Sequence, residues 1–476
     1  MNSDIQKWTN KIKEECKGEK RKYIILTMGC QLNENDSEKI SGMLKESGFE
    51  KTTKAEEADI IVFNTCCVRE NAEERLLGKL GEVKKYKENN GTIIAIGGCM
   101  MQEKNMVDKI KQSYPFVDML FGTHTLEKFP ENLFNVISEH KKIDDIIDID
   151  GVIHEGVPVD RDDNIKASVT IMNGCNNFCS FCIVPYVRGR ERSRNPQDII
   201  DEIECLAKAN YKEITLLGQN VNSYLVSQKL KGEDVNYSVK LKNGEVQEVN
   251  SFATLLRAIN KIEGIERIRF ISPHPKDFTD DVIEAIRDCD KVCKLIHLPL
   301  QSGSTSLLKV MNRKYTKEQY LSLVEKIRAK IPSVTFSTDI IVGFPGETEE
   351  DFEDTLDVVK KVQFEQIFMF IYSRRVGTVA DRMENQVDEN VKHERFERLK
   401  QLYAELVEKT NKTYIGTNQK ILVEGPSKNN NKILTGRTES NKVVNFEGDT
   451  SLIGKMTTVK IISEHMWYLK GEAIEN

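Results

Sequence analysis

Short unbroken apolar runs mark the first third of the chain: Tyr23-Ile24-Ile25-Leu26, Ile60-Ile61-Val62-Phe63 and Ile93-Ile94-Ala95-Ile96. A strand buried on both faces loses polar alternation and reads as such a run. Between the runs lie charged segments with helical spacing, residues 35–47 and 69–87. Alternating strand and helix signals predict a doubly wound α/β domain around a parallel sheet. Polar residues 141–145 and 160–166 read as the flanks of a linker.

A second α/β series follows. Strands are expected at residues 169–172, 213–217, 267–271, 295–298, 334–342 and 366–371, with helices between them at 196–208, 252–262 and 316–330. Such a series predicts a partial or full barrel of parallel strands. The polar stretch 226–250 interrupts it and reads as a surface insertion without chemistry. After a charged helix from Glu389 to Thr410 the pattern shortens to β-rich pieces at 420–424 and 457–462, punctuated by Gly425-Pro426 and Gly448-Asp449. This predicts a small antiparallel β-barrel, a shape often used to bind oligonucleotides.

The 476 residues leave room for several domains. Charged residues at 30% and hydrophobic ones at 39% fit a core-forming chain rather than a disordered one. No apolar run approaches the roughly 18–20 residues of a membrane span. The opening residues have no apolar core, so no secretory signal is expected. Eleven cysteines without an export signal point to a reducing compartment, where cysteine groups read as metal or catalytic sites. The net charge of −6 argues against a nucleic-acid partner for the chain as a whole. Residues 409–476 nevertheless carry ten Lys and Arg against seven Asp and Glu. A mildly basic tail suits a module that touches phosphates, though surface scatter would give the same count.

Two cysteine sets follow from these predictions. Cys175, Cys179 and Cys182 form a C-x-x-x-C-x-x-C motif. Three thiolates hold an iron–sulfur cluster by three irons and leave the fourth open, the arrangement of a catalytic rather than an electron-transfer centre. Cys30, Cys66 and Cys99 lie far apart in sequence, yet each follows one of the three expected strands. The carboxyl ends of adjacent parallel strands lie about 4.8 Å apart, so these thiols can converge on a second cluster. Cys67 is expected to point elsewhere. Cys289 and Cys293 read as core, and Cys16 and Cys205 lack supporting context. Arg188, Arg190, Arg192 and Arg194 follow the Cys175–Cys182 motif and read as a grip for phosphate or carboxylate, or as a solvated helix-capping loop. Ser272-Pro273-His274-Pro275, Gln301 and Asp339 lie just past or within strand ends, where a barrel keeps its active site. His274 and His297 read more readily as polar core residues than as catalytic ones.

The residues around these cysteines resemble the radical-SAM methylthiotransferase family. The resemblance rests on Cys175, Cys179 and Cys182, on Thr27-Met28-Gly29-Cys30-Gln31-Leu32-Asn33, on Asn64-Thr65-Cys66-Cys67-Val68-Arg69 and on Gly97-Gly98-Cys99-Met100-Met101-Gln102. Leu217-Gly218-Gln219-Asn220-Val221-Asn222-Ser223-Tyr224 and Met311-Asn312-Arg313-Lys314-Tyr315 are similar to the branch acting on N6-(dimethylallyl)adenosine next to the tRNA anticodon. The tail resembles a TRAM domain. Family members often carry prolines where this chain has Arg374 and Val379, which leaves the rigidity of that loop open.

The resemblance implies a methylthiotransferase domain at 21–140, a radical-SAM core at 161–400 and a TRAM-like domain at 404–474. It implies two 4Fe-4S clusters: a radical-SAM one on Cys175, Cys179 and Cys182, and an auxiliary one on Cys30, Cys66 and Cys99. It also implies two S-adenosylmethionine molecules per turnover, one the radical source and one the methyl donor. Gln219, Ser272, His274, Gln301, Asp339 and Arg375 are expected to contact S-adenosylmethionine. No side chain is singled out as catalytic, because the clusters carry the chemistry. Expected partners are the tRNA anticodon loop and an electron donor such as a flavodoxin or ferredoxin, for a cytoplasmic monomer with no membrane association. Rival readings are methylthiolation of threonylcarbamoyl-adenosine or of a ribosomal-protein aspartate, and a non-catalytic iron–sulfur or zinc RNA-binding protein.

Overall fold

The computed structural model describes residues 2–67, 72–147, 149, 152–427 and 430–474, with Asn431 described by its backbone alone. The Val68-Arg69 end of the second cysteine motif, and the start of the helix expected from residue 69, lie outside the described residues.

The N-terminal sheet has the order Glu50–Lys51, Lys22–Met28, Ile60–Thr65, Ile93–Gly98, Met119–Phe121, Ile143–Asp145, and every pairing is parallel. Ile60–Thr65 is buried at every position, which is why it reads as an uninterrupted apolar run. Helices Ser3–Glu15, Gln31–Glu46 and Phe129–Glu139 cover one face, and Ala72–Asn90 with Lys104–Ser113 covers the other. The sheet is thus doubly wound, as the alternating pattern predicts.

The sheet has six strands where the sequence reading drew three, and two of the elements it missed are instructive. Ile143–Asp145, read as linker, is the edge strand, and the Asp145 carboxylate accepts a 2.7 Å bond from Asn132 Nδ2. Edge strands tolerate acidic residues because their outer side faces water. Ser3–Glu15, read only as charged, is a helix that buries Ile5, Thr9 and Ile12 against the sheet's covering helices.

The central strands Lys166–Thr170, Glu213–Leu217, Arg267–Phe270, Leu295–His297, Thr335–Val342 and Gln366–Ile371 form an arc of two parallel sheets, joined by the bridge between Ile268 and Val292. The arc stays open, with Lys166–Thr170 and Gln366–Ile371 as its edge strands, so the barrel is partial. The 226–250 insertion carries a hairpin, Tyr237–Lys240 with Val246–Val249. It is not purely superficial, because Val235, Val239, Leu241 and Val249 join the barrel's apolar core.

The tail is a closed barrel of Asn418–Ser427, Asn430–Arg437, Val443–Glu447, Leu469–Ala473 and Met456–Glu464. Its pairings are antiparallel except that Val443–Glu447 and Leu469–Ala473 run parallel. An odd-membered ring cannot alternate direction all the way round, so one parallel pair is unavoidable. The barrel is fastened beneath the arc. Arg267 donates to the carbonyls of Arg437 and Lys420 at 2.8 and 2.6 Å, and Arg269 donates to those of Glu439 and Thr438 at 2.8 and 3.0 Å. Buried Glu213 balances these guanidinium charges, 3.0 Å from Arg269 Nε. Among the described residues no helix is long and apolar enough to cross a membrane.

Candidate active site with two cysteine centres

In the N-terminal sheet the chain reverses its lateral direction between Lys22–Met28 and Ile60–Thr65. Doubly wound sheets bind ligands in the crevice at this switch point, outside the strands' carboxyl ends. Cys30 and Cys66 follow these two strands, and Cys99 follows Ile93–Gly98. Gly98 has a φ of +95°, and a β-carbon there would collide with the Thr65 carbonyl oxygen. Only glycine lets the chain turn here so closely against its neighbour.

Asn33 is fully buried and donates to Asn64 Oδ1 and Thr65 O at 3.2 and 3.0 Å, while the Cys30 thiol donates to Asn33 Oδ1 at 3.4 Å. The hydrogen bond from Cys66 pushes the Cys30 thiol down to about 5, opposed by burial and helped by the Arg188 charge. The Cys99 thiol is likewise lowered, by the hydrogen bond from Cys67 and by Arg188, against burial. The thiolate is the metal-ligating form, so these soft, acidified sulfurs suit an iron–sulfur cluster.

Cys67 does not point elsewhere. It is buried with Cys99, Ile183 and Val187, and it shares a hydrogen bond with the Cys99 sulfur. The strand ends at Thr65, so its alternation no longer governs Cys66 and Cys67.

The second centre sits on one loop. Gly174, at φ +78°, abuts the Arg190 carbonyl, and Phe178 takes φ +48°. The loop is pinned from outside: Asn312 Nδ2 donates to the carbonyls of Asn177 and Phe178 at 3.2 and 2.8 Å, and Ser180 Oγ donates to Val310 O at 2.6 Å. Arg313 donates to Cys179 Sγ at 3.3 Å, to the Tyr315 hydroxyl at 2.9 Å and to Pro299 O at 3.1 Å. Burial pushes the Cys175 thiol up to about 11. Burial, reinforced by Cys179, pushes Cys182 up to about 12. The loop without the family's prolines is held by hydrogen bonds instead: Ala380 N–H donates to Ser180 O at 2.8 Å, and Arg374 pairs with Asp381 at 3.0 Å.

The arginine run does not assemble as a ligand grip. Arg188 is buried on Cys99 Sγ at 3.1 Å and Asp36 Oδ2 at 2.7 Å. Arg194 is held by Glu155 at 2.6 Å and Glu202 at 2.8 Å. The Arg190 guanidinium lies over the Phe178 ring at 4.3 Å. Acidic residues thus balance Arg188 and Arg194, two of the four.

The residues expected to contact S-adenosylmethionine occupy the mouth of the arc without forming one cluster. Both polar atoms of the Gln219 amide and Asn220 Oδ1 are buried without a partner. Buried polar atoms are nearly always paired, so these orphans fit a polar ligand. Ser272 and Gln301 sit at φ +58° and +69°, strain of order 1–3 kcal/mol that gathers at functional sites. His274 is pushed down to about 2 by burial and by Arg313, and is therefore neutral. Its Nδ1 accepts from the Lys276 N–H at 3.2 Å, which leaves the proton on Nε2. Two bonds to Asn222, at 2.8 and 3.0 Å, fix the His274 backbone. Across the arc, Asp339 pairs with His297 Nε2 at 3.4 Å, and its carbonyl accepts from Gln301 N–H at 2.9 Å. Arg375 stands on the rim towards the first centre, where its charge opposes the burial that raises the Glu103 carboxyl. Below this mouth a cavity of about 680 Å³ opens between the arc and the N-terminal sheet, lined by Lys166, Arg269, His297 and Phe368.

Sequence reasoning did not single out Asn33, Asp36, Arg188 or Arg313 for these roles. Among the described residues no three His, Cys, Asp or Glu side chains are drawn together as one bare metal ion requires. The fit to clusters rests on the thiols' placement and, at the first centre, on the lowered Cys30 and Cys99.

Residues 22–122 match the family described as Uncharacterized protein family UPF0004, 169–359 the Radical SAM superfamily and 412–474 the TRAM domain. A Clostridium beijerinckii protein named tRNA-2-methylthio-N(6)-dimethylallyladenosine synthase is 55% identical over 473 residues, 99% of each chain. A protein of the same name from Acetivibrio thermocellus is 52% identical, over 99% of this chain and 95% of its own. Among solved structures, the radical S-adenosylmethionine methyltransferase TsrM from Kitasatospora setae shares the fold, with a TM-score of 0.53 at 14% identity, over 76% of this chain and 75% of its own.

Proposed function

The chain belongs to the tRNA-2-methylthio-N(6)-dimethylallyladenosine synthase family, and on that premise we propose how its two cysteine centres divide the work. It is a radical-SAM tRNA methylthiotransferase that places a methylthio group on C2 of N6-(dimethylallyl)adenosine next to the anticodon. The reaction uses S-adenosylmethionine and an iron–sulfur cluster. In our reading there are two 4Fe-4S clusters: Cys175, Cys179 and Cys182 hold the one that takes S-adenosylmethionine, and Cys30, Cys66 and Cys99 hold the auxiliary one. When bound, these groups supply the chemistry that replaces the adenine C2 hydrogen with sulfur and a methyl group, one S-adenosylmethionine as radical source and a second as methyl donor.

The observation that carries the reading is the shared segment between the centres. Cys182 closes one motif, and six residues later Arg188 touches Cys99 of the other. Six residues span at most about 20 Å, so one substrate base can serve both centres.

The chain's own residues then hold and orient. Gln219, Ser272, His274, Gln301, Asp339 and Arg375 line the approach for S-adenosylmethionine, and the orphaned Gln219 amide supports this. His274, held neutral, donates from Nε2. The target base leaves its stack to reach a buried centre, as other base-modifying enzymes require. Phe368 and Phe370, 41% and 50% exposed on one face of the open edge strand, offer it a stacking surface. The three domains span 21–140, 161–400 and 404–474, and the TRAM-like one adds affinity for the tRNA backbone. A flavodoxin- or ferredoxin-type donor supplies electrons to a cytoplasmic monomer.

The test is nucleoside analysis of tRNA from cells lacking this protein. The reading expects N6-(dimethylallyl)adenosine without its methylthio group; intact 2-methylthio product would overturn it.

A further inference from the structure

Arg188 is 6% exposed and comes from outside the domain it serves. It ends the short helix Val184–Val187, which packs Ile183 and Val187 over Cys67 and Cys99. A second fastening, Thr123 Oγ1 to Val187 O at 2.8 Å, fixes this segment on the N-terminal body. Its guanidinium donates through Nε to Cys99 Sγ at 3.1 Å and through an Nη to Asp36 Oδ2 at 2.7 Å. A guanidinium stays charged at any physiological pH, and a buried charge is tolerated only where it is compensated. Here the compensation comes from Asp36 and the thiolates.

We propose that Arg188 is a positioning residue that sets the reduction potential of the auxiliary cluster from the radical-SAM domain, with Asp36 as its counterweight. The inference rests on the reading that Cys30, Cys66 and Cys99 hold a cluster. Hydrogen bonds to cluster sulfurs and local charge are the levers by which proteins tune such potentials. A donor N–H and a positive charge favour the reduced, more negative cluster and raise the potential. A carboxylate on the same guanidinium partly cancels that charge. The two side chains therefore act with opposite sign, which a purely structural role does not.

The test uses the full-length C175A/C179A/C182A protein, so that only the auxiliary centre can load, reconstituted with iron and sulfide. Iron content is measured first, then the midpoint potential by electron paramagnetic resonance. About four irons per chain are expected for one 4Fe-4S cluster. Added to that background, Arg188→Met should lower the potential, Arg188→Lys should restore most of it, and Asp36→Asn should raise it. A loaded cluster whose potential stays put in both Arg188→Met and Asp36→Asn, or moves the same way in both, overturns the inference and leaves the two-cluster reading standing. A background protein that takes up no iron sinks that reading, and the inference with it.

Discussion

The two cysteine centres are built on opposite plans. Cys30, Cys66 and Cys99 come from three strand ends, and hydrogen bonds with the Arg188 charge hold Cys30 and Cys99 below the ordinary thiol range. Cys175, Cys179 and Cys182 come from one loop, and burial pushes Cys175 and Cys182 above that range. Among the described residues Arg188 donates to Cys99 and Arg313 to Cys179. The first centre is thus assembled by topology, and its surroundings favour the thiolate of Cys30 and Cys99. The second is assembled by local spacing, and burial favours the neutral thiol of Cys175 and Cys182. The difference teaches that a shared ligand type does not imply a shared electrostatic design.

The largest expected effect separates the two directly. Cys175→Ala should abolish reductive cleavage of S-adenosylmethionine and with it all product. Cys99→Ala should retain that cleavage and lose only methylthiolation. Quantifying 5′-deoxyadenosine and modified nucleoside in one assay checks both, and loss of cleavage in Cys99→Ala would erase the division of labour.

A control for the comparison lies beneath the arc. Arg267→Met takes the charged donor from the carbonyls of Lys420 and Arg437 while Arg269 still pairs with Glu213, so stability should fall by about 2 kcal/mol, the range for losing hydrogen bonds to a charged group. Iron uptake by the folded fraction should be unchanged. Urea unfolding gives the first quantity and iron analysis the second.

Next comes pH. His274 titrates at about 2 when folded against 6.5 ordinarily, so folding favours its neutral form. Its contribution is fully present above pH 6.5 and is lost as pH falls from 6.5 towards 2. The slope is about 1.4 kcal/mol per pH unit for one proton. Unfolding midpoints of wild type and His274→Gln at pH 7.5 and 5.5 should differ more at the higher pH. A constant difference would mean that His274 keeps its ordinary pKa in the fold.

The smallest effect concerns the stacking surface. Phe370→Ala should weaken tRNA binding by about 1 kcal/mol, the low end for one stacked base. It should leave iron content and S-adenosylmethionine cleavage alone. Unaltered binding in filter assays would remove the stacking role.

Legibility in the sequence followed the same division. Cys175, Cys179 and Cys182 are readable from spacing alone. Cys30, Cys66 and Cys99 were reachable only because fully buried parallel strands such as Ile60–Thr65 write themselves as apolar runs, so their ends could be located. Ile143–Asp145 escaped because an edge strand needs no apolar run. Ser3–Glu15 escaped because its three buried residues are scattered among charges. Arg188 and Arg194 misled because a buried arginine and an exposed one have the same letter, and only tertiary packing brings Asp36 or Glu155 to them. Cys67 misled because strand alternation was extended two residues past the strand.

The central claim is that two sets of three thiols hold two clusters, and iron counting on reconstituted protein tests it most directly. Wild type should hold roughly eight irons per chain, and C30A/C66A/C99A and C175A/C179A/C182A roughly four each, as two independent 4Fe-4S clusters require. Roughly four irons in wild type, all lost in one triple variant and all kept in the other, would contradict it.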